Sequence, residues 1–189
     1  MGLRRRTIAL LDLRGGERVL DVACGTGLSF AQLRQGVGES GAVVGVEVSP
    51  EMARLARERV AAEGWRNVSI IEARIEDAVL SERFDAALFN FTHDVLQSPA
   101  ALARVFEALR LGARIALAGS KLYPRWLAPL NIVVRRMNAP YLTTFAGLRR
   151  PWGLLAAYVP DLEIHSALLG AAYVAAGRYL PATLPRPRA

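Results

Sequence analysis

Asp21-Val-Ala-Cys-Gly25-Thr-Gly27 sets a carboxylate, a thiol and two glycines side by side, directly after a short apolar run. Glu47 closes the next apolar run. Glycines permit positive φ and let a ligand approach the backbone with no Cβ in the way. A helix starting after such a loop aims its first amides at the same spot. A carboxylate at the end of the neighbouring strand can accept both hydroxyls of a ribose. The dinucleotide fingerprint wants a third small residue at its sixth position, where this chain has Phe30. Asp21 would repel a pyrophosphate and would welcome a sulfonium bearing an ammonium group. Further along, Asn90-Phe-Thr-His93-Asp94 follows another apolar run. His93 is a natural general base, because an imidazole titrates near neutrality.

These groups need a scaffold. Arg4–Leu13 predicts a short helix ending at Gly15-Gly16, and 18–23 a strand. Gly27–Gln35 predicts a helix and 42–48 a β-branched buried strand. Ser49-Pro50-Glu51 reads as the capped start of a helix whose buried face carries Met52, Leu55, Ala56 and Val60. Val68–Glu72 and Phe84–Asn90 predict two more strands, and Ser98-Pro99 opens a helix through Leu109, stopped at Leu111-Gly112. Ala113–Gly119 predicts a fifth strand. A helix is expected from about Gly153 to Tyr158, then a hairpin, Leu162–Leu169 and Ala171–Ala176 around Gly170. Alternating strands and helices with a closing hairpin imply an α/β fold, a mostly parallel sheet covered on both faces with an antiparallel edge. Ligands of such sheets sit at the carboxyl ends of the strands, beside the topological switch point.

At these motifs the chain resembles the class I S-adenosylmethionine-dependent methyltransferases, small-molecule type, similar to the quinone-biosynthesis-like domains. Val19-Leu-Asp-Val-Ala-Cys-Gly-Thr-Gly27 resembles that family's first motif, and Val43-Val-Gly-Val-Glu47 with Ser49-Pro-Glu-Met52 its second. Phe84–Asn90 and Leu111–Leu117 resemble its later strands. The resemblance implies a Rossmann-like three-layer sandwich with a seven-stranded sheet whose last strand is antiparallel. It implies S-adenosyl-L-methionine as cofactor and S-adenosyl-L-homocysteine as product. Asp21, Gly25, Thr26 and Gly27 would then line the methionine end, Glu47 the ribose, and Asn90 the neighbouring strand end. Met52 would meet the adenine or serve only as helix core. The family's usual adenine-binding Asp aligns with Arg74, which cannot accept a hydrogen bond. Either Ile75 and Glu76 (or Asp77) take over that edge, or adenine is held less firmly.

The segment after Asn90 lies where the family places its acceptor, which gives His93 the catalytic expectation, with Asp94 orienting it or capping the next turn. Cys24 reads as packing rather than nucleophile, and His165 as an edge-strand surface residue. Residues 120–152 mix Tyr123, Trp126, Tyr141, Phe145 and Trp152 with Arg125, Arg135, Arg136, Arg149 and Arg150. That insert would suit an amphiphilic or aromatic acceptor with negative charge, or a membrane interface.

Composition bounds the rest. The chain has 189 residues, 52% hydrophobic and 22% charged, which fits one globular domain over 1–180 and a disordered tail over 181–189. One cysteine and two histidines exclude a disulfide framework and leave little for a metal site. No run approaches the roughly 18–20 apolar residues of a spanning helix, and the opening lacks a signal-peptide pattern, so a cytoplasmic protein is expected. The net charge of +7 is uneven, −2 over residues 1–100 and +9 over 101–189. Two alternatives stay open. One is an S-adenosylmethionine-binding protein that is a lyase, a cyclase or non-catalytic. The other is an RNA methyltransferase, although no RNA-binding module and no Asn-Pro-Pro-Tyr-like motif is present, which disfavours nucleic acid. A small-molecule substrate and a monomer or homodimer are expected.

Overall fold

The computed structural model describes residues 2–123, 127, 131, 132, 134, 136 and 147–180. Seven strands form one sheet in the order β3-β2-β1-β4-β5-β7-β6. They are β1 (Arg18–Val22), β2 (Ala42–Glu47), β3 (Val68–Glu72), β4 (Phe84–Asn90), β5 (Leu109–Ser120), β6 (Glu163–Ala167) and β7 (Ala172–Arg178). β1 to β5 pair in parallel, and β7 runs antiparallel to both β5 and β6. The expected sheet, including its antiparallel last strand, is therefore present.

Among the described residues the helices flanking them are α1 (Leu3–Ala9), which precedes β1, then α2 (Phe30–Val37), α3 (Pro50–Ala62), α4 (His93–Leu96) and α5 (Pro99–Glu107). Consecutive strand residues face opposite sides, and both sides are covered. Val19, Val43 and Leu88 pack with Ile8, Phe30, Leu33 and Ala56 on the side of α1, α2 and α3. Leu20, Val22 and Ile115 pack with Leu102, Val105, Phe106 and Leu155 on the side of α5. Ser49 and Ser98 cap α3 and α5 as their sequences predict, accepting from the amides of Met52 (3.4 Å) and Ala101 (3.2 Å).

α1 ends at Ala9 and not at Leu13, and the hairpin strands are also shifted by a few residues; other boundaries differ for local reasons. α2 begins at Phe30 rather than Gly27, because Gly27 sits at φ +74° in a turn. α5 ends at Glu107, and Leu109 already belongs to β5. The ladder then jumps from Phe84–Leu109 to Ala86–Arg114. The residues between bulge out around Gly112 at φ +81°, so the glycine interrupts a strand and does not end a helix. The helix expected over 153–158 is only a 3-10 turn at Leu155–Ala157.

The buried face of α3 is also corrected. Ala53 and Ala56 are buried, Val60 is half-buried, and Met52 and Leu55 are exposed. The helix lies close on small residues, which turns its first-turn methionine toward the end of the sheet.

Candidate functional site

β2 and β3 lie on one side of β1, and β4 and β5 on the other. The switch point is therefore the crevice at the carboxyl ends of β1 and β4. Backbone strain collects there. Ala23, just past β1, has φ +51°, and Phe91, just past β4, has φ +62°. Non-glycine residues in the left-handed region cost on the order of 1–2 kcal/mol each, and such strain tends to gather at functional sites.

The loop after β1 is fastened at three points. The Cys24 amide donates to the Val46 carbonyl at 3.0 Å. The Gly25 amide donates to Glu47 Oε2 at 2.8 Å, and the Ser49 amide to Glu47 Oε1 at 2.9 Å. Arg59 Nε of α3 donates to the Thr26 carbonyl at 3.0 Å. Glu47 is buried. Each of its oxygens accepts one amide and keeps a further lone pair. The carboxylate is thus oriented by the backbone and can still take hydroxyl donors.

The two glycines do different work. Gly25 is at φ +57°, and a Cβ there would lie 3.8 Å from the Met52 sulfur, so Met52 flanks open backbone. Gly27 is closed, because a Cβ would come within 2.5 Å of the Phe30 ring. Phe30 also explains Gly45, whose Cβ would meet Cys24 Sγ and the Phe30 ring at 2.7 Å each. The bulky sixth residue therefore fills the space that a dinucleotide-type loop leaves for close helix packing. Cys24 is buried beneath the loop, and burial, reinforced by Asp21 and Glu47, holds its thiol well above the usual range. It is a packing residue, as the sequence suggests.

Asp21 sits in β1 beside Gly45 and Leu88 and is 2% exposed. Its Oδ2 has no hydrogen-bond partner among the described residues. Burial pushes its carboxyl up to about 7, against the opposing pull of Arg4, with Glu47 raising it and the Ser29 hydroxyl lowering it. The Arg4 Nε is itself buried and without a partner among the described residues. A buried acid and a guanidinium from α1 thus share one end of the crevice.

At the other end lies a cavity of about 350 Å³, walled by Val46, Val48, Ile75 and Val95, with Glu76 and Ser98 at its rim. Ser98 Oγ donates to Glu76 Oε1 at 3.1 Å, which leaves the second carboxylate oxygen available. Arg74 is exposed and swings toward Glu76 at 3.6 Å. Ile75 and Glu76 are therefore both at the cavity, as one of the two sequence readings requires. Asp94 also lines this cavity.

Asn90 ends β4 beside the crevice, and its Oδ1 is buried without a partner among the described residues. His93 begins α4 and is buried. His165 lies exposed on the edge strand β6, as expected. Trp152 packs edge-on against Tyr173 at 4.8 Å, so its ring serves the core and not a substrate wall. Trp126, Tyr141, Phe145, Arg125, Arg135 and the tail 181–189 lie outside the described residues.

Arg4, Arg59, Gly45, Val48 and Ser98 were not read from sequence as site residues. Arg4 carries a signal: it is in helical phase with buried Thr7, Ile8 and Leu11. Arg59 carries none, since an exposed helical arginine is ordinary.

This sheet order, with a carboxylate-held glycine loop at the switch point, defines the class I methyltransferase architecture. Solved structures share it. The chain superimposes on an S-adenosylmethionine-dependent methyltransferase from Aquifex aeolicus with TM-score 0.65, at 18% identity over 94% of this chain and 90% of that one. A geranyl diphosphate methyltransferase, solved with S-adenosylmethionine, gives TM-score 0.72 at 19% identity over 94% and 84%. Residues 19–112, about half of the chain, match the family described as Methyltransferase domain. Among curated relatives, the aklanonic acid methyltransferase DauC of Streptomyces sp. is 33% identical over 59% of this chain and 52% of its own length. The ubiquinone/menaquinone biosynthesis C-methyltransferase UbiE of Yersinia enterocolitica is 35% identical over 59% and 46%. The matched stretch thus spans about half the length of those relatives. Residues 19–112 thus match the Methyltransferase domain family, and the sheet they build has the fold of solved S-adenosylmethionine-dependent methyltransferases.

Proposed function

We propose that this chain transfers a methyl group from S-adenosylmethionine to a small, amphiphilic or aromatic acceptor. The observation that carries the reading is Glu47, which both the Gly25 and Ser49 amides hold in place beside an open glycine backbone. The two orphaned buried oxygens, Asp21 Oδ2 and Asn90 Oδ1, support it, because each is an acceptor with nothing among the described residues to accept from.

The residues fit the cofactor end to end. Asp21 takes the methionine ammonium and Arg4 its carboxylate, an acid and a base matched to a zwitterion. Glu47 takes the ribose hydroxyls. Val48, Ile75 and Val95 line the cavity that would hold the adenine, and Glu76 would accept from its amino group in place of the missing Asp. When bound there, the sulfonium supplies an already activated methyl group. The remaining work is alignment, and holding two reactants in line lowers such a barrier by roughly 7–11 kcal/mol. Asn90 and His93 close the acceptor side. His93 removes a proton from an acceptor that must lose one.

DauC is named for aklanonic acid and UbiE for ubiquinone and menaquinone biosynthesis, and the acceptor proposed here is an enol or phenol on an apolar body. The test is turnover with label on the cofactor's methyl group, across phenolic, enolic, amine and thiol acceptors. Labelled product and S-adenosylhomocysteine release with a phenol or enol support the proposal. Cofactor binding with no transfer to any of these classes would contradict it.

A further inference from the structure

The turn joining β6 to β7 is built against the usual rules for a soluble hairpin. Leu168 and Leu169 are both in the left-handed region, at φ +47° and +54°, followed by Gly170 at φ +99°. Leucine seldom adopts that conformation, and two in succession are costlier still. The strain yields no packing. Leu168 is 68% exposed and Leu169 98%.

The register fixes where this tip lies. Ala172 pairs with Ser120, and the Lys121 amide donates to the Ala171 carbonyl at 2.9 Å. The tip is therefore at the carboxyl end of the sheet, the same end as the crevice. A small apolar cluster of Leu122, Val134 and Leu148, flanked by Tyr123 and Ala171, ties it to the segment after β5. Asn131 completes the tie, accepting from the Tyr123 amide at 2.7 Å. Asn131 and Val134 are buried, and Ile132 and Arg136 are exposed.

Cations surround this platform. Lys121 donates to Ser166 at 2.7 Å beside the turn, and Arg149 and Arg150 are exposed next to buried Leu148. From residue 108 to residue 160 the sequence has no acid at all, with seven arginines and one lysine. Bare leucines with Lys121, Arg149 and Arg150 beside them match the boundary between acyl chains and anionic headgroups. Nucleic acid would use the cations and leave the leucines in water.

We infer that the β6–β7 tip docks the protein on the surface of an anionic phospholipid bilayer, with Leu168 and Leu169 inserted and Lys121, Arg149 and Arg150 at the headgroups. The crevice then opens at the membrane surface, where an amphiphilic acceptor partitions. The docking rests on the tip and its neighbouring cations and holds whether or not the transferase reading does.

Co-sedimentation of the full chain with vesicles tests it. Binding is expected to vesicles containing phosphatidylglycerol and not to pure phosphatidylcholine, and is expected to fall as salt rises. Leu168→Ser/Leu169→Ser is expected to weaken binding by at least about tenfold. Arg149→Ser/Arg150→Ser is expected to weaken it about fivefold per cation removed. Both variants should keep wild-type circular dichroism and melting temperature, since none of the four side chains is buried. Introducing Leu169→Trp should give a blue-shifted emission on vesicle addition. No binding to anionic vesicles, or binding that the double serine variant at 168 and 169 leaves unchanged, overturns the inference. So does single-stranded RNA binding tighter than vesicle binding and insensitive to the leucines.

Discussion

The buried carboxyl of Asp21 makes cofactor affinity depend on pH. Burial holds it near 7, against an ordinary value of 3.8. In the ligand-free protein it is therefore protonated below about 7. An ammonium beside it needs the anion, so binding in mildly acidic solution must expel a proton. Affinity for S-adenosylhomocysteine should fall about tenfold from pH ~8 to pH ~6 through this group, and tenfold per pH unit below that. Calorimetry in buffers of different ionisation heat should show close to one proton released per ligand near pH ~6. Arg4 opposes the burial, so Arg4→Gln should move the midpoint to higher pH. Asp21→Asn should weaken binding in alkaline solution and flatten the profile. The sign for stability follows from a raised carboxyl. Asp21's favourable contribution is complete below about 4 and is lost as the pH rises through about 7, a change on the order of 4 kcal/mol at most. Asp21→Asn should therefore stabilise the ligand-free protein above neutrality while impairing binding. A wild-type profile that is flat from pH ~6 to ~8, or an Asp21→Asn profile with the wild-type slope, would refute the reasoning.

Further predictions concern other groups. Gly45→Ala forces a Cβ into Cys24 Sγ and the Phe30 ring, and thermal unfolding should show a loss of about 1–3 kcal/mol from overpacking; an unchanged melting temperature would mean that the loop packs differently. His93→Asn should lower kcat by about 10²–10⁴-fold toward a phenolic acceptor while leaving cofactor affinity within about threefold; a parallel loss of affinity would make His93 structural. Arg59→Ala removes the side chain holding the Thr26 carbonyl, and titration should show S-adenosylhomocysteine affinity about fivefold weaker, the worth of one such bond.

Periodicity and capping made most of the scaffold legible. β3 and β4 lie where their apolar runs end, and Ser49-Pro50 and Ser98-Pro99 open helices because their chemistry is local. Glu47 was legible for the same reason, as an acid closing a β-branched run. The misses are tertiary. Met52 and Leu55 read as core from spacing alone, but α3 approaches the sheet on Ala53 and Ala56. Gly112 read as a helix stop because a bulge inside a strand has no sequence signature distinct from a turn. Arg4 sits in a basic run that looks solvated, and its helical phase with Ile8 and Leu11 is the one local sign that it turns inward. The strain at Leu168 and Leu169 is invisible in the letters Leu-Leu-Gly, which read equally well as the middle of a hairpin.

The measurement that bears most directly on the site is calorimetric titration of S-adenosylhomocysteine into the wild type and Glu47→Gln. The ribose-holding carboxylate predicts a single site of micromolar affinity in the wild type. It predicts about hundredfold weaker binding in the variant, the cost of losing charge-assisted bonds to ligand and loop together. Absence of binding to the wild type, or equal affinity in a folded Glu47→Gln protein, would contradict the account.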